Sequence, residues 1–353
     1  MSFRRFVNLI SSDSYRCVYS LRRIDMSRFF LPCAAKNKIN LDAGDCSLPD
    51  PVMNFYSPER SDHYGTMEFM FVDNKVVAAD GTGGALMYDT DLDAVRSLPN
   101  HGKMRKFSFS VAAGNNLYNI DSTRNCSANR RFEALVYIAP TVSERPNWQW
   151  RSLPPPPGDD DGGHDSTCID SCAVVAGGSQ ILFTARASNK SCTYSFDTTK
   201  LLWGDKPLLD WALPFTGCAE YIPELAHCWF GISSKEHGNV LCAADLAARP
   251  DDSSPSVTAL LDDMAAGPPK ECHLVSARSV YLGSGKFCIA RFFNVSTTVF
   301  CHETQLPHYV DEDFAILAGV EVVVTSSDGP KFRLVKHHEE RYMLEDIGLH
   351  WLF

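Results

Sequence analysis

The densest gathering of metal-type ligands in this 353-residue chain is Cys218, His227, Cys228, His237 and Cys242. Structural zinc sites pair ligands about two to four residues apart on both sides of a loop, and this set lacks such pairs. Cys218 and Cys228 read instead as small strand residues. Cys168 and Cys172 stand four apart, on one side of a strand, without the C-x-x-C turn of a redox pair. Asp159, Asp160, Asp161 and Asp165 do not follow the order of acids and glycines in an EF-hand loop and read as a solvated acidic loop. His337-His338 beside Glu339-Glu340 reads as the polar end of a strand, a metal site only if the fold brings a third ligand close. There is no G-x-S-x-G elbow, and Gly81 to Gly84 has no Lys-Ser/Thr to make a phosphate loop. No catalytic, cofactor-binding or metal residue is assigned, and no cofactor.

The net charge of −10 and the lack of a long basic run argue against nucleic acid as a partner. No apolar stretch approaches the roughly twenty residues of a membrane helix. The thirteen cysteines are scattered through apolar runs and read as buried, reduced thiols. Without a secretory signal, the acceptor patterns at Asn125, Asn189 and Asn294 are expected to stay unmodified. Arg4, Arg5, Arg16, Arg22, Arg23 and Arg28 resemble a transit peptide, but Asp13 and Asp25 interrupt them and two strand-like runs favour a folded reading. The expectation is a soluble monomer of the cytosol or nucleus.

The elements that would position any site come from a pattern repeated about every fifty residues. Its clearest copy is Ser171 to Phe215, with strands Cys172 to Ala176, Ile181 to Ala185 and Cys192 to Phe196. Gly177-Gly178 supplies the first turn and Asp197-Thr198-Thr199 the last. Lys200 to Trp203 and Leu208 to Leu213 follow, with Trp203 offered to a neighbouring sheet. Tyr88-Asp89-Thr90 ends an earlier third strand as Phe196-Asp197-Thr198 does, and Arg-Ser-Leu-Pro occurs at both 96–99 and 151–154.

Four-stranded sheets that cannot bury both faces alone stack side by side, and a ring of them leaves no open edge. The expected fold is all-β, a single six-bladed β-propeller domain over 1–353. An incomplete first blade spans 1–57, further blades 66–100, 106–157, 166–215, 216–263 and 271–337, and a tail 338–353. Loops are expected at Lys36 to Asp50, Pro154 to Asp165 and Pro250 to Pro255, a helical turn at Leu260 to Ala266, and a long insertion around Phe300 to Asp313. Closure should pair an N-terminal strand with a C-terminal blade.

The Gly pairs Gly83-Gly84 and Gly177-Gly178, the aromatic-Asp ending and Trp203 resemble the kelch repeat. Arg5 to Ile10, Tyr19 to Asp25, Gly283 to Phe293 and Leu317 to Val322 resemble a family expanded in grasses, domain of unknown function 1668. That resemblance covers nearly the whole chain; it implies a plant origin and a propeller-like fold and brings no catalytic residues. The expected role is a non-catalytic protein-interaction scaffold with an unidentified protein partner. The alternative, a metal-dependent oxidase or hydrolase at the ring axis, needs Tyr and His ligands such as Tyr118, Tyr137, Tyr194 and His273 to converge.

Overall fold

Apolar runs of four to eight residues, closed by Gly, Asn and Asp turns, fold into antiparallel hairpins throughout this computed structural model. It describes residues 3–13, 16–30, 46–57, 67–100, 108–122, 131–139, 147–157, 168–186, 191–205, 207–208, 211–247, 257–259, 272–300, 307–325, 331–344 and 350–353. Most of Lys36 to Asp50 and the expected loop 250–255, the acidic run 159–165 and the helical turn 260–266 lie outside them. The described residues contain strands and short 3-10 turns, so the fold is all-β, as expected. None of their helices is long and apolar enough to cross a membrane.

Contacts divide the chain into two units, the first Met1–Tyr56 with Ile222–Ala243 and Val257–Phe353, the second Ser57–Tyr221 with Ala244–Ser256. The first unit opens with β1 (Phe6–Asp13), β2 (Val18–Asp25) and β3 (Met53–Tyr56). The second holds β4 (Met67–Val72), β5 (Lys75–Asp80), β6 (Ala85–Asp89) and β7 (Ala94–Ser97), then β8 (Ser108–Ala113), β9 (Asn116–Asp121), β10 (Phe132–Ile138) and β11 (Asn147–Ser152). Its remaining strands are β12 (Cys168–Val175), β13 (Gln180–Arg186), β14 (Ser191–Asp197), β15 (Leu202–Trp203) and β16 (Phe215–Ile222). The first unit resumes with β17 (Cys228–Ser233), β18 (Leu241–Ala244), β19 (Val257–Ala259), β20 (Cys272–Gly283), β21 (Lys286–Phe300), β22 (Pro307–Val324), β23 (Phe332–Leu344) and β24 (His350–Leu352).

Within the second unit, β4 to β7 and β8 to β11 each form a four-stranded antiparallel sheet in sequence order. β12 to β15 keep the same antiparallel order as part of a larger sheet, in which β16 runs parallel to β12. Within the first, β20 to β23 repeat the pattern, while the sheet of β1, β2 and β3 gains its fourth strand from β24. That pairing sets Leu9 opposite Leu352 and Ile10 opposite Trp351, so residues from the far end of the chain complete the N-terminal sheet.

The clamps repeat with the strands. In β4–β7 the Asp89 carboxylate accepts the N–H groups of Asp91 and Leu92, and Thr90 donates its N–H and hydroxyl to the Asn74 carbonyl. In β12–β15 Asp197 accepts from Thr199 and Lys200, and Thr198 donates to the Ser179 and Gly178 carbonyls. The aromatic-Asp-Thr signature is thus a tie between one turn and the hairpin turn two strands away. Leu98 and Leu153, third in each Arg-Ser-Leu-Pro, turn inward after the outer strand, their N–H groups on the Ala85 and Phe132 carbonyls. Gly177 and Gly178 take φ of 64° and 95°, the left-handed region their turn needs.

Each unit has its own cores. One in the second unit gathers Phe132, Phe183 and Phe196 around the Trp203 ring at 5.1–5.5 Å, and the Trp203 indole N–H donates to the Pro154 carbonyl. Burying each Phe contributes about 1.5–3 kcal/mol. In the first unit, Phe29, Phe292, Leu317 and Tyr342 form one core and Phe230, Phe287 and Val320 another.

After Trp203, the Thr193 carbonyl accepts the Leu208 N–H, the Thr193 hydroxyl donates to the Trp211 carbonyl, and the Thr184 hydroxyl accepts from the Leu213 N–H. Two expectations are corrected. The insertion around Phe300 to Asp313 is largely a continuation of the β21–β22 hairpin, in register from Lys286 with Glu321 to Phe300 with Pro307. The last strand does not stop at Lys336 but runs to Leu344, and its polar residues find partners there: His337 on Glu321 of β22, Glu339 on Lys336 of the same strand, and Glu340 on Arg28 of the 3-10 turn Met26–Phe30.

Candidate functional site

A groove of about 480 Å³ opens in the second unit between sheet β4–β7 and sheet β8–β11. Its lower wall is core: Met87 and Trp148 are buried with Val77, Leu117 and Leu135. Its rim is β7, a four-residue strand exposed along its whole length, which pairs with β6 through Met87–Arg96 and Tyr88–Val95. Among the described residues nothing pairs with its outer edge. Of the eleven large apolar side chains that stand exposed among those residues, Leu92, Val95 and Tyr137 line this one groove. The Tyr137 ring rests against Trp148 at 5.2 Å, tilted by 56°.

The charges at the rim are unequally committed. Lys75 is tied to Asp73 at 3.2 Å and lies 3.9 Å from Asp89. Asp89 in turn fixes the turn that carries Leu92 outward. Arg96 is exposed and has no carboxylate partner among the described residues. The groove therefore offers a sheet edge, an apolar floor and one unmatched cation, a set suited to binding.

The residues weighed from sequence are dispersed. Cys218 is exposed in the second unit, whereas Cys228 and Cys242 are buried in the first, and burial pushes the Cys242 thiol up to about 12. His237 Nδ1 pairs with the Ser234 hydroxyl at 2.8 Å. His337 lies 3.0 Å from Glu321, and Glu340 is joined to Arg28. Tyr118 is core, packed on Phe196, while Tyr137 is at the groove; Tyr194 sits in β14 and His273 in β20 of the other unit. Among the described residues no three His, Cys, Asp or Glu side chains are grouped as a metal would need. The groove itself was missed in the sequence, although Leu92 and Val95 in the polar run Asp89 to Ser97 carry its signal.

No curated protein matches the chain in sequence. Among solved structures it is similar to the β-propeller domain of Cps50 (Swd1) from Myceliophteria thermophila, at 11% identity and a TM-score of 0.31, over 72% of this chain and 96% of that one. It is also similar to a bifunctional GH43-CE protein of Bacteroides eggerthii, at 10% identity and a TM-score of 0.27, over 97% of this chain and 52% of that one. Likenesses this low carry no argument about shape or chemistry. Residues 4–342 match one family model, so the chain belongs to the protein family of unknown function DUF1668.

Proposed function

We propose that this protein is a non-catalytic interaction scaffold, a kelch-like propeller of a plant cell's cytosol or nucleus, and that the β7 groove receives an extended segment of a partner protein. The observation that carries this reading is the convergence of Leu92, Val95 and Tyr137 beside an unpaired strand edge. An added strand would satisfy the free N–H and C=O groups of β7, and alternate apolar side chains would cover the groove. A carboxylate on the segment would answer Arg96, so the favoured ligand is an extended peptide alternating apolar residues with an acid.

The test is selection of random peptides displayed on phage against the purified protein, followed by binding of the enriched peptide measured by fluorescence anisotropy. Enrichment of apolar–acidic extended sequences, with affinity lowered at least about tenfold by Val95→Asp and by Arg96→Glu, is expected. No enrichment, or affinity unchanged in both variants, would overturn the assignment.

A further inference from the structure

Cys172 and Cys218 are 46 positions apart in sequence and directly opposite each other in the parallel pairing of β12 with β16, between the pairs Ser171–Gly217 and Ala173–Ala219. We propose that these two cysteines are a peroxide-responsive dithiol, an oxidation site that closes to a reversible disulfide. Adjacent strands run about 4.8 Å apart, inside the roughly 4.4–6.8 Å Cα separation that a disulfide spans. In-register residues of neighbouring strands direct their Cβ atoms to the same face.

The two thiols have unequal surroundings. Cys218 is exposed, its Sγ 3.4 Å from the Ser110 carbonyl oxygen, and a small oxidant reaches it from solvent. Cys172 is completely buried in the aromatic core beside Phe183 and Phe196. Burial, and then the neighbouring Cys218, push the Cys172 thiol well above its ordinary range. Exposure makes Cys218 the sulfur oxidised first, and Cys172, opposite it in the ladder, the one that resolves it.

The chemistry balances with hydrogen peroxide as the oxidant. The Cys218 thiolate attacks one peroxide oxygen, the O–O bond breaks, and Cys218 sulfenic acid and hydroxide result; the hydroxide takes up the thiol's proton as water. The Cys172 sulfur then displaces the sulfenic oxygen, forming the S–S bond and releasing a second water that carries the Cys172 proton. Two thiols are oxidised by two electrons as one peroxide is reduced.

The test treats the reduced, full-length protein with a small excess of hydrogen peroxide, quenches free thiols with an alkylating agent and maps peptides without reduction. A Cys172–Cys218 cross-linked peptide, reversed by dithiothreitol, is expected. Cys218→Ser should abolish it, and Cys172→Ser should let Cys218 sulfenic acid accumulate as a dimedone adduct; thermal melting of both reduced variants checks that they fold. Oxidation of Cys218 directly to sulfinic acid without the cross-link, or preferential linkage of other cysteines, would overturn the proposal.

Discussion

Sheets β4–β7 and β20–β23 have the same topology and are held by different means. The strands of the first are four to six residues long, and its turns are tied by side chains: Asp80 to Thr82 and Gly84, Asp89 to Leu92, Thr90 to Asn74. The strands of the second run twelve to eighteen residues, and an uninterrupted ladder joins its central pair. A short strand has few ladder bonds with which to offset the entropy of ordering its turns, so side-chain clamps do that work. A long hairpin offsets the same cost along its length. The sequence repeats are therefore visible where strands are short, because the clamps are the repeat.

The largest expected effect comes from removing what completes the long-stranded unit. β24 supplies Leu352 to the core, and Phe353 just after it exchanges N–H to C=O bonds with Asn8 in both directions at 3.0 Å. Deleting residues 350–353 loses a buried leucine, about 2–5 kcal/mol by itself, and uncovers the edge of β1. A lower urea midpoint together with light scattering from self-association is the expected result. An unchanged midpoint would mean that the N-terminal sheet is stable with three strands.

Next in size are Phe196→Ala and Phe292→Ala, one in each unit and both fully buried. Each should cost about 3–5 kcal/mol, read from chemical denaturation. Phe196 touches Tyr118, Phe132 and Trp203, and a fall in Trp203 fluorescence anisotropy should mark its loss. If the units unfold separately, the two variants shift different transitions of one denaturation curve.

Gly319→Ala tests the long-stranded sheet at one point. In β22 a Cβ at Gly319 would stand 2.8 Å from the Phe29 Cβ and 3.2 Å from Phe30 Cζ, where the 3-10 turn Met26–Phe30 lies on the strand. The backbone of that turn has to move, for about 1–3 kcal/mol. The same substitution at Gly81, in the turn of the short-stranded sheet, meets nothing within 4 Å and should be close to neutral.

The contrast also explains what the sequence disclosed. Tyr88-Asp89-Thr90 and Phe196-Asp197-Thr198 were readable because each motif acts within its own hairpins. The extension of β23 through His337 to Glu340 was not, since His337 is satisfied by Glu321 on β22 and Glu340 by Arg28 on the 3-10 turn Met26–Phe30, and partners this distant in sequence leave no local pattern. The brief β24 owes its existence to β1, some 340 residues away. The groove shares that difficulty: Val95, Tyr137 and Trp148 come from three strands, and each alone is an ordinary strand residue.

The smallest effect concerns the Asp80 clamp, and its value lies in its pH dependence. Burial works against the charge of Asp80, but hydrogen bonds from the Thr82 hydroxyl and the N–H groups of Thr82, Gly84 and Gly83 prevail and hold its carboxyl below the usual range. A carboxylate whose folded pKa is depressed contributes stability that is fully present above its unfolded value, about 3.9, and is lost as pH falls through the folded pKa. The amide of Asp80→Asn accepts the same bonds without charge, so the variant should be less stable by about 0.5–1 kcal/mol near neutrality, discounted for solvent access. In acid, where the native carboxyl is protonated, that deficit should vanish. Urea midpoints of both proteins on either side of about pH 4 make the comparison. A deficit independent of pH would mean that geometry alone ties this turn, and that the short sheet shares with the long one a reliance on backbone rather than on charge.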